Sequence, residues 1–204
     1  MTKQTDINYN FFYWGPLLFK IKLSPFDLEA CAKLCTKKTK KFNKFLVGMI
    51  EHEHYVNPQT FQKILKPYLN IFKHAFKTWY KTPLGQEIIM SSAWVNFMKA
   101  GEFNPPHTHV ECDFSSVLFI QVPQSLREEH KNFQKSEVSE LQKGGGPGNI
   151  EFLYGERQPY GITQVTSFPE EGDLYIFPAT LTHFVFPFKS KGERISVGAN
   201  FNLK

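Results

Sequence analysis

The chain has 204 residues, 41% of them hydrophobic and 16% aromatic, with 21 Phe and a formal net charge of +5. That length and apolar content fit a single packed domain over 1–204 and exclude a disordered chain. No apolar run approaches the roughly 20 residues of a membrane span, the polar start MTKQTDINYN does not read as a secretory leader, and an odd set of cysteines (Cys31, Cys35, Cys112) points to a reducing, cytoplasmic compartment.

The first elements alternate strand and helix. NYNFFYWGPLLFKIKLS (8–24) reads as one or two strands broken at Gly15-Pro16. SPFDLEACAKLCTKKTKKF opens with a Ser24 cap and Pro25 at the first helical position. Lys33, Lys37, Lys38, Lys40, Lys41 and Lys44 follow with no acidic neighbour, as a solvated helix face or a polyanion patch. The stretch 57–80 places Phe61, Leu65, Tyr68, Phe72, Phe76 and Trp79 at three- and four-residue spacing. That is an amphipathic helix, with a kink or restart expected near Pro67. EHEH (51–54) reads as a connector between the helices and a weak candidate for metal.

From about residue 90 the period becomes extended. Strands are expected over 92–100, 115–123, 149–155, 173–178, 183–188 and 194–202, with a charged segment outside the core at 127–142, which holds His130, and a glycine-rich loop at 143–149. Helices followed by six or more short strands imply a mainly β fold, a sandwich or jelly roll backed by two or more α-helices. Residues 1–90 supply the N-terminal strands and supporting helices, and 91–204 the β core.

The chemistry is carried by NPPHTHVE (104–111). Residues i and i+2 of a strand share a face, so His107 with His109, or His109 with Glu111, can grip one ion. His183, between two strand segments, is the best third ligand. Two histidines and a third group with open positions form the facial set of non-heme Fe(II) oxygenases. Farther on, Arg194, Ser196, Gly198 and Asn200 alternate on one face. Arginine offers a carboxylate a planar, permanently charged fork, Ser196 adds a donor, and Gly198 leaves room for a ligand. A bound dicarboxylate is expected there.

WVNFMKAGEFNPPHTH, SSVLFIQVP, GNIEF, EEGDLYIFPATLTHFVFPF and GERISVGANFN together resemble the 2-oxoglutarate/Fe(II)-dependent oxygenases of marine phages and some bacteria, relatives of the prolyl 4-hydroxylase group. The resemblance spans roughly residues 45–203. It implies a double-stranded β-helix with His183 as the distal iron ligand and Arg194 and Ser196 on the far carboxylate of 2-oxoglutarate. It further implies O2 as co-substrate, ascorbate as a further candidate, and a cytoplasmic hydroxylase (host cytoplasm if phage-encoded). The wider superfamily's His-X-Asp/Glu fits His109 and Glu111, whereas the subgroup's His-X-His falls on His107 and His109. The second alignment gives three histidines, as in some cupin dioxygenases.

Asn96 and Asn200 are further candidates for the co-substrate or a metal-bound water. Trp94 and Phe103 are candidates for the pocket wall or for core packing. The primary substrate is open between a peptidyl proline or other protein side chain, which is favoured, a nucleic acid and a small metabolite. Competing readings are a cupin-type three-histidine enzyme without 2-oxoglutarate and a non-catalytic β-sandwich.

Overall fold

The computed structural model describes residues 15–141, 145–156, 158–159 and 161–204, so the strand expected over 8–14 lies outside the described residues. After β1 (Phe19–Lys22) comes α1 (Pro25–Ala32), begun by Pro25 and by the Ser24 hydroxyl, which accepts from the Asp27 N–H at 3.1 Å. The helix ends at Ala32, short of the lysine run expected to continue it. Leu34 and Cys35 turn back onto the carbonyls of Cys31 and Ala32. The chain then runs as a strap held by distant partners: Thr39 Oγ1 donates to the Tyr55 carbonyl at 2.7 Å, and the Phe42 N–H to the Glu53 carbonyl at 2.8 Å. A lysine run without an apolar face has no packing to gain as a helix, so pairing of the strap backbone prevails.

The strap's partner is β2 (His52–Tyr55), which corrects the reading of EHEH as a connector; it pairs antiparallel with β3 (Ile88–Met98). Between them, α2 (Pro58–Tyr80) runs unbroken through Pro67, where a kink was expected. Pro67 faces solvent, so the carbonyl that loses its bond meets water. Phe61, Leu65, Tyr68, Leu69 and Phe72 bury the opposite face.

The remaining elements are β4 (Asn104–His107), β5 (Phe114–Gln121), α3 (Gln124–Gln134), α4 (Glu137–Leu141), β6 (Ile150–Leu153), β7 (Gln164–Ser167), β8 (Asp173–Pro178), β9 (Thr182–Val185) and β10 (Arg194–Leu203). The segment after 127, expected outside the core, is largely α3. Leu126 is fully buried and the His130 ring stacks on Phe168 at 4.1 Å.

Two antiparallel sheets form the jelly roll: six strands in the order β1-β8-β5-β10-β3-β2, and four in the order β4-β9-β6-β7. Alternation along each strand sends one set of side chains to each face. Val95, Phe97, Leu118, Val197 and Ala199 meet α2 on the outer face of the large sheet. Met98, Phe119, Tyr175 and Phe177 meet Ile150, Phe152 and Val185 between the sheets. The expected mainly β fold with supporting helices is what the chain adopts. Among the described residues no helix is long and apolar enough to cross a membrane.

Candidate metal centre and active-site cavity

A cavity of about 640 Å³ opens between the two sheets. The small sheet contributes two histidines from neighbouring strands, because β4 pairs with β9 in a register that sets His107 directly across from His183. Their ring centroids are 4.3 Å apart. β4 ends at His107, so His109 is not on the same strand. It is held instead by its N–H bond to the Ala179 carbonyl at 2.8 Å and by the Trp94 indole, 5.8 Å away. One ring nitrogen from each of the three histidines lies within 4.8 Å of the others.

The hydrogen bonds set the tautomers. His107 Nδ1 lies 2.7 Å from the Pro105 carbonyl and His183 Nδ1 3.0 Å from the Leu181 carbonyl, so Nδ1 carries the proton in both and each Nε2 presents a lone pair. The Nε2 atoms of His109 and His183 are 3.3 Å apart. With metal–nitrogen bonds of about 2.1 Å, a shared ion spans roughly 3.0–3.4 Å between neighbouring nitrogens. Burial first, then the neighbouring His107, pushes His183 down to about 3 and His109 down to about 4; burial also lowers His107. All three rings are therefore uncharged at neutral pH, the form that binds metal. The donor set fits a divalent transition ion.

Glu111 is not among the clustered ligand atoms. It is exposed and takes a left-handed φ of 58°. That turn ends the alternation which would have aimed it with His109, although it still borders the cavity mouth. Of the weaker histidines, His54 is buried with Nδ1 2.9 Å from the Thr39 carbonyl, and His52 stacks on it at 5.9 Å.

On the large sheet, Arg194 is 1% exposed and its guanidinium lies 5.3 Å above the Phe119 ring. Nη1 donates to the Gly148 carbonyl at 2.9 Å, Nη2 meets Met98 Sδ, and Nε has no hydrogen-bond partner among the described residues. Burial lowers its pKa to about 9, which leaves it charged at neutral pH. Among the described residues it has no ion-pair partner, and an uncompensated buried charge costs several kcal/mol. An anionic ligand is what this position lacks. Ser196, 3% exposed, lines the cavity beside it.

Gly198 does not leave space for a ligand as expected: a Cβ there would stand 2.6 Å from the Trp94 indole, which already fills the position. Trp94 does line the cavity, whereas Phe103 packs against the inter-sheet core. Asn96 lines it with Oδ1 buried and without a partner among the described residues, and Asn200 accepts from the Ser115 hydroxyl. Sequence reasoning missed Phe42, Phe45, Gly48, Glu53 and Asn104, which form the wall beside β2. The pairing of β2 with β3, a contact across some 40 residues, carries Glu53 there, and the pairing of β4 with β9 carries Asn104.

The family model described as "Putative 2OG-Fe(II) oxygenase" matches residues 92–200, just over half of the chain. A prolyl 4-hydroxylase of Pseudomonas putida superposes with a TM-score of 0.57 at 15% identity, covering 92% of each chain. An oxidoreductase of the 2OG-Fe(II) oxygenase family from Burkholderia pseudomallei gives 0.53 at 13% identity, over 90% of this chain and 84% of its own. At these identities the two structures speak for the fold alone. A search of curated proteins finds no significant match.

Proposed function

The chain belongs to the 2OG-Fe(II) oxygenase family, and we propose that His107, His109 and His183 hold its Fe(II) while Arg194 and Ser196 hold the far carboxylate of 2-oxoglutarate. One observation carries this reading: three uncharged imidazoles converge within 4.8 Å at a cavity that Ser196 also lines, and two residues from Ser196 the buried Arg194 has no ion-pair partner among the described residues. When bound, iron and co-substrate supply the oxidation of a C–H bond by O2, with 2-oxoglutarate converted to succinate and CO2.

The chain's own residues position and shield. The Pro105 and Leu181 carbonyls lock two imidazoles with Nε2 toward the ion. Trp94 packs beside His109 and restricts its ring. Phe119, Ile150 and Phe177 wall the interior and keep bulk water out. Asn96, cross-strand neighbour of Ser196, and Asn200, tied to Ser115, complete the polar wall assigned to the co-substrate.

For the primary substrate we favour a protein side chain. Phe45, Val47 and Val110 are 61%, 52% and 79% exposed around the cavity mouth. An apolar rim of that kind suits a peptide laid across the opening better than a freely diffusing polar metabolite.

Anaerobic titration of the Fe(II)-loaded protein with 2-oxoglutarate tests the assignment. A weak visible charge-transfer band that grows and saturates is expected. Iron binding without a band would overturn the co-substrate site and favour a three-histidine enzyme of cupin type. Failure to bind iron would overturn the metal site.

A further inference from the structure

The cavity wall beside β2 carries polar groups that neither the iron nor the co-substrate uses. Glu53 is 1% exposed and lines the cavity. Its Oε2 accepts from Asn43 Nδ2 at 3.2 Å, while Oε1 has no hydrogen-bond partner among the described residues. Oε1 and Asn104 Oδ1 converge: each lies 2.5 Å from the point where a Cβ on Gly48 would stand. On the next strand Asn96 faces Glu53 in register, and its buried Oδ1 also has no partner among the described residues. Two acceptor oxygens, Glu53 Oε1 and Asn104 Oδ1, thus border one region of the cavity, and no side chain among the described residues donates to either.

The surroundings have a consistent character. The lining residues include no lysine or arginine, and their two acidic members are Glu53 and Glu111. Phe42 stacks on Trp94 at 6.1 Å and 14°, with Phe45 5.1 Å from Phe42, so aromatic rings line the same cavity as the acid. A carboxylate beside aromatic rings attracts a cation and repels phosphate. Unpaired buried acceptors are costly until a donor arrives.

We propose that Glu53, with Asn104, forms a subsite for a protonated amine of the primary substrate, as on a lysine side chain entering across the apolar rim. This deepens the oxygenase reading and rests on it. Burial, and then the charge of Glu102, raise the Glu53 carboxyl to about 8, and an ammonium group alongside would restore its ionised form. Gly48 keeps the subsite open, because any side chain there would meet Glu53 and Asn104.

The test uses the full chain, loaded anaerobically with Fe(II) and 2-oxoglutarate, and three blocked tripeptides with lysine, norleucine or proline at the centre. Binding is read by calorimetry and the charge-transfer band is recorded on the same samples. The lysine peptide is expected to bind about tenfold or more tighter than the norleucine peptide. Glu53→Gln, which keeps shape and the bond from Asn43, should bring the two within about twofold while the band persists. Gly48→Ala should abolish the preference by filling the subsite. Equal or undetectable binding of the lysine and norleucine peptides, tighter binding of the proline peptide, or a preference that survives Glu53→Gln would overturn the subsite. Loss of the band in the wild type would instead overturn the oxygenase assignment beneath it.

Discussion

Arg194 and Glu53 make an instructive pair. Both are 1% exposed, both stand on the large sheet with only β3 between their strands, and neither has an ion-pair partner among the described residues. Yet they ask for opposite ligands. Arg194 sits at the centre of the sheet, over Phe119 and next to Ser196, and calls for an anion. Glu53 sits at the sheet edge among Asn104, Asn96 and aromatic rings, and calls for a donor or cation. Ser196, two residues from Arg194, and Glu53 both line the cavity, so an anion held at Arg194 and a cation held at Glu53 would enter from different sides.

The largest effects are expected at the histidines both walls serve. His183→Ala and His107→Ala should each weaken iron binding by more than about 100-fold and end turnover. Glu111→Ala should leave iron affinity within about twofold; a collapse there instead, in a metal titration, would move the proximal pair to His109 and Glu111. Next comes the anion wall. Arg194→Ala should raise the 2-oxoglutarate concentration needed to saturate the band on the order of 100-fold, ~2–4 kcal/mol, with iron binding retained. An unchanged midpoint would remove the anchor role.

The acidic wall gives a smaller effect with a definite sign. A folded-state pKa of about 8 for Glu53, raised from 4.5, means the native state holds this proton where the unfolded chain has released it. The associated stability is fully present below 4.5 and is lost as pH rises through about 8. The groups facing this carboxyl are Asn43, Asn104, Asn96 and Glu102. Denaturant unfolding of Glu53→Gln should therefore gain on wild type by on the order of 1–3 kcal/mol between about pH 5 and about pH 9. A gap that does not widen with pH would show that Glu53 is ionised in the empty cavity. Smallest is the contact between Gly198 and Trp94: Gly198→Ala pushes a Cβ against the indole and should cost about 1–2 kcal/mol.

Legibility from sequence followed the range of the interactions. β8 was bounded at 173–178 as it stands, and β10 and α2 to within a residue or so, because each carries its own period. The strap did not. Its lysines suit a helix locally, and the bonds from Thr39 and Phe42 to Tyr55 and Glu53 that overrule it span 16 residues or fewer but follow no sequence period. α3 hid for a related reason: its buried face rests on Leu126 and His130 alone amid charge.

What the amino-acid sequence determined was the supply of chemistry: the histidines themselves, and on local alternation Arg194 and Ser196, two apart on one face of β10. Alternation is a property of the extended backbone, so it can be read without a partner strand. What only the tertiary structure decided was company. The register of β4 against β9 set His107 beside His183, and the left-handed turn at Glu111 took that carboxylate away from the cluster. The pairing of β2 with β3 carried Glu53 to the edge of the same cavity. Those placements depend on contacts between distant segments, whose energies come from burial and register rather than from any residue's neighbours in the chain.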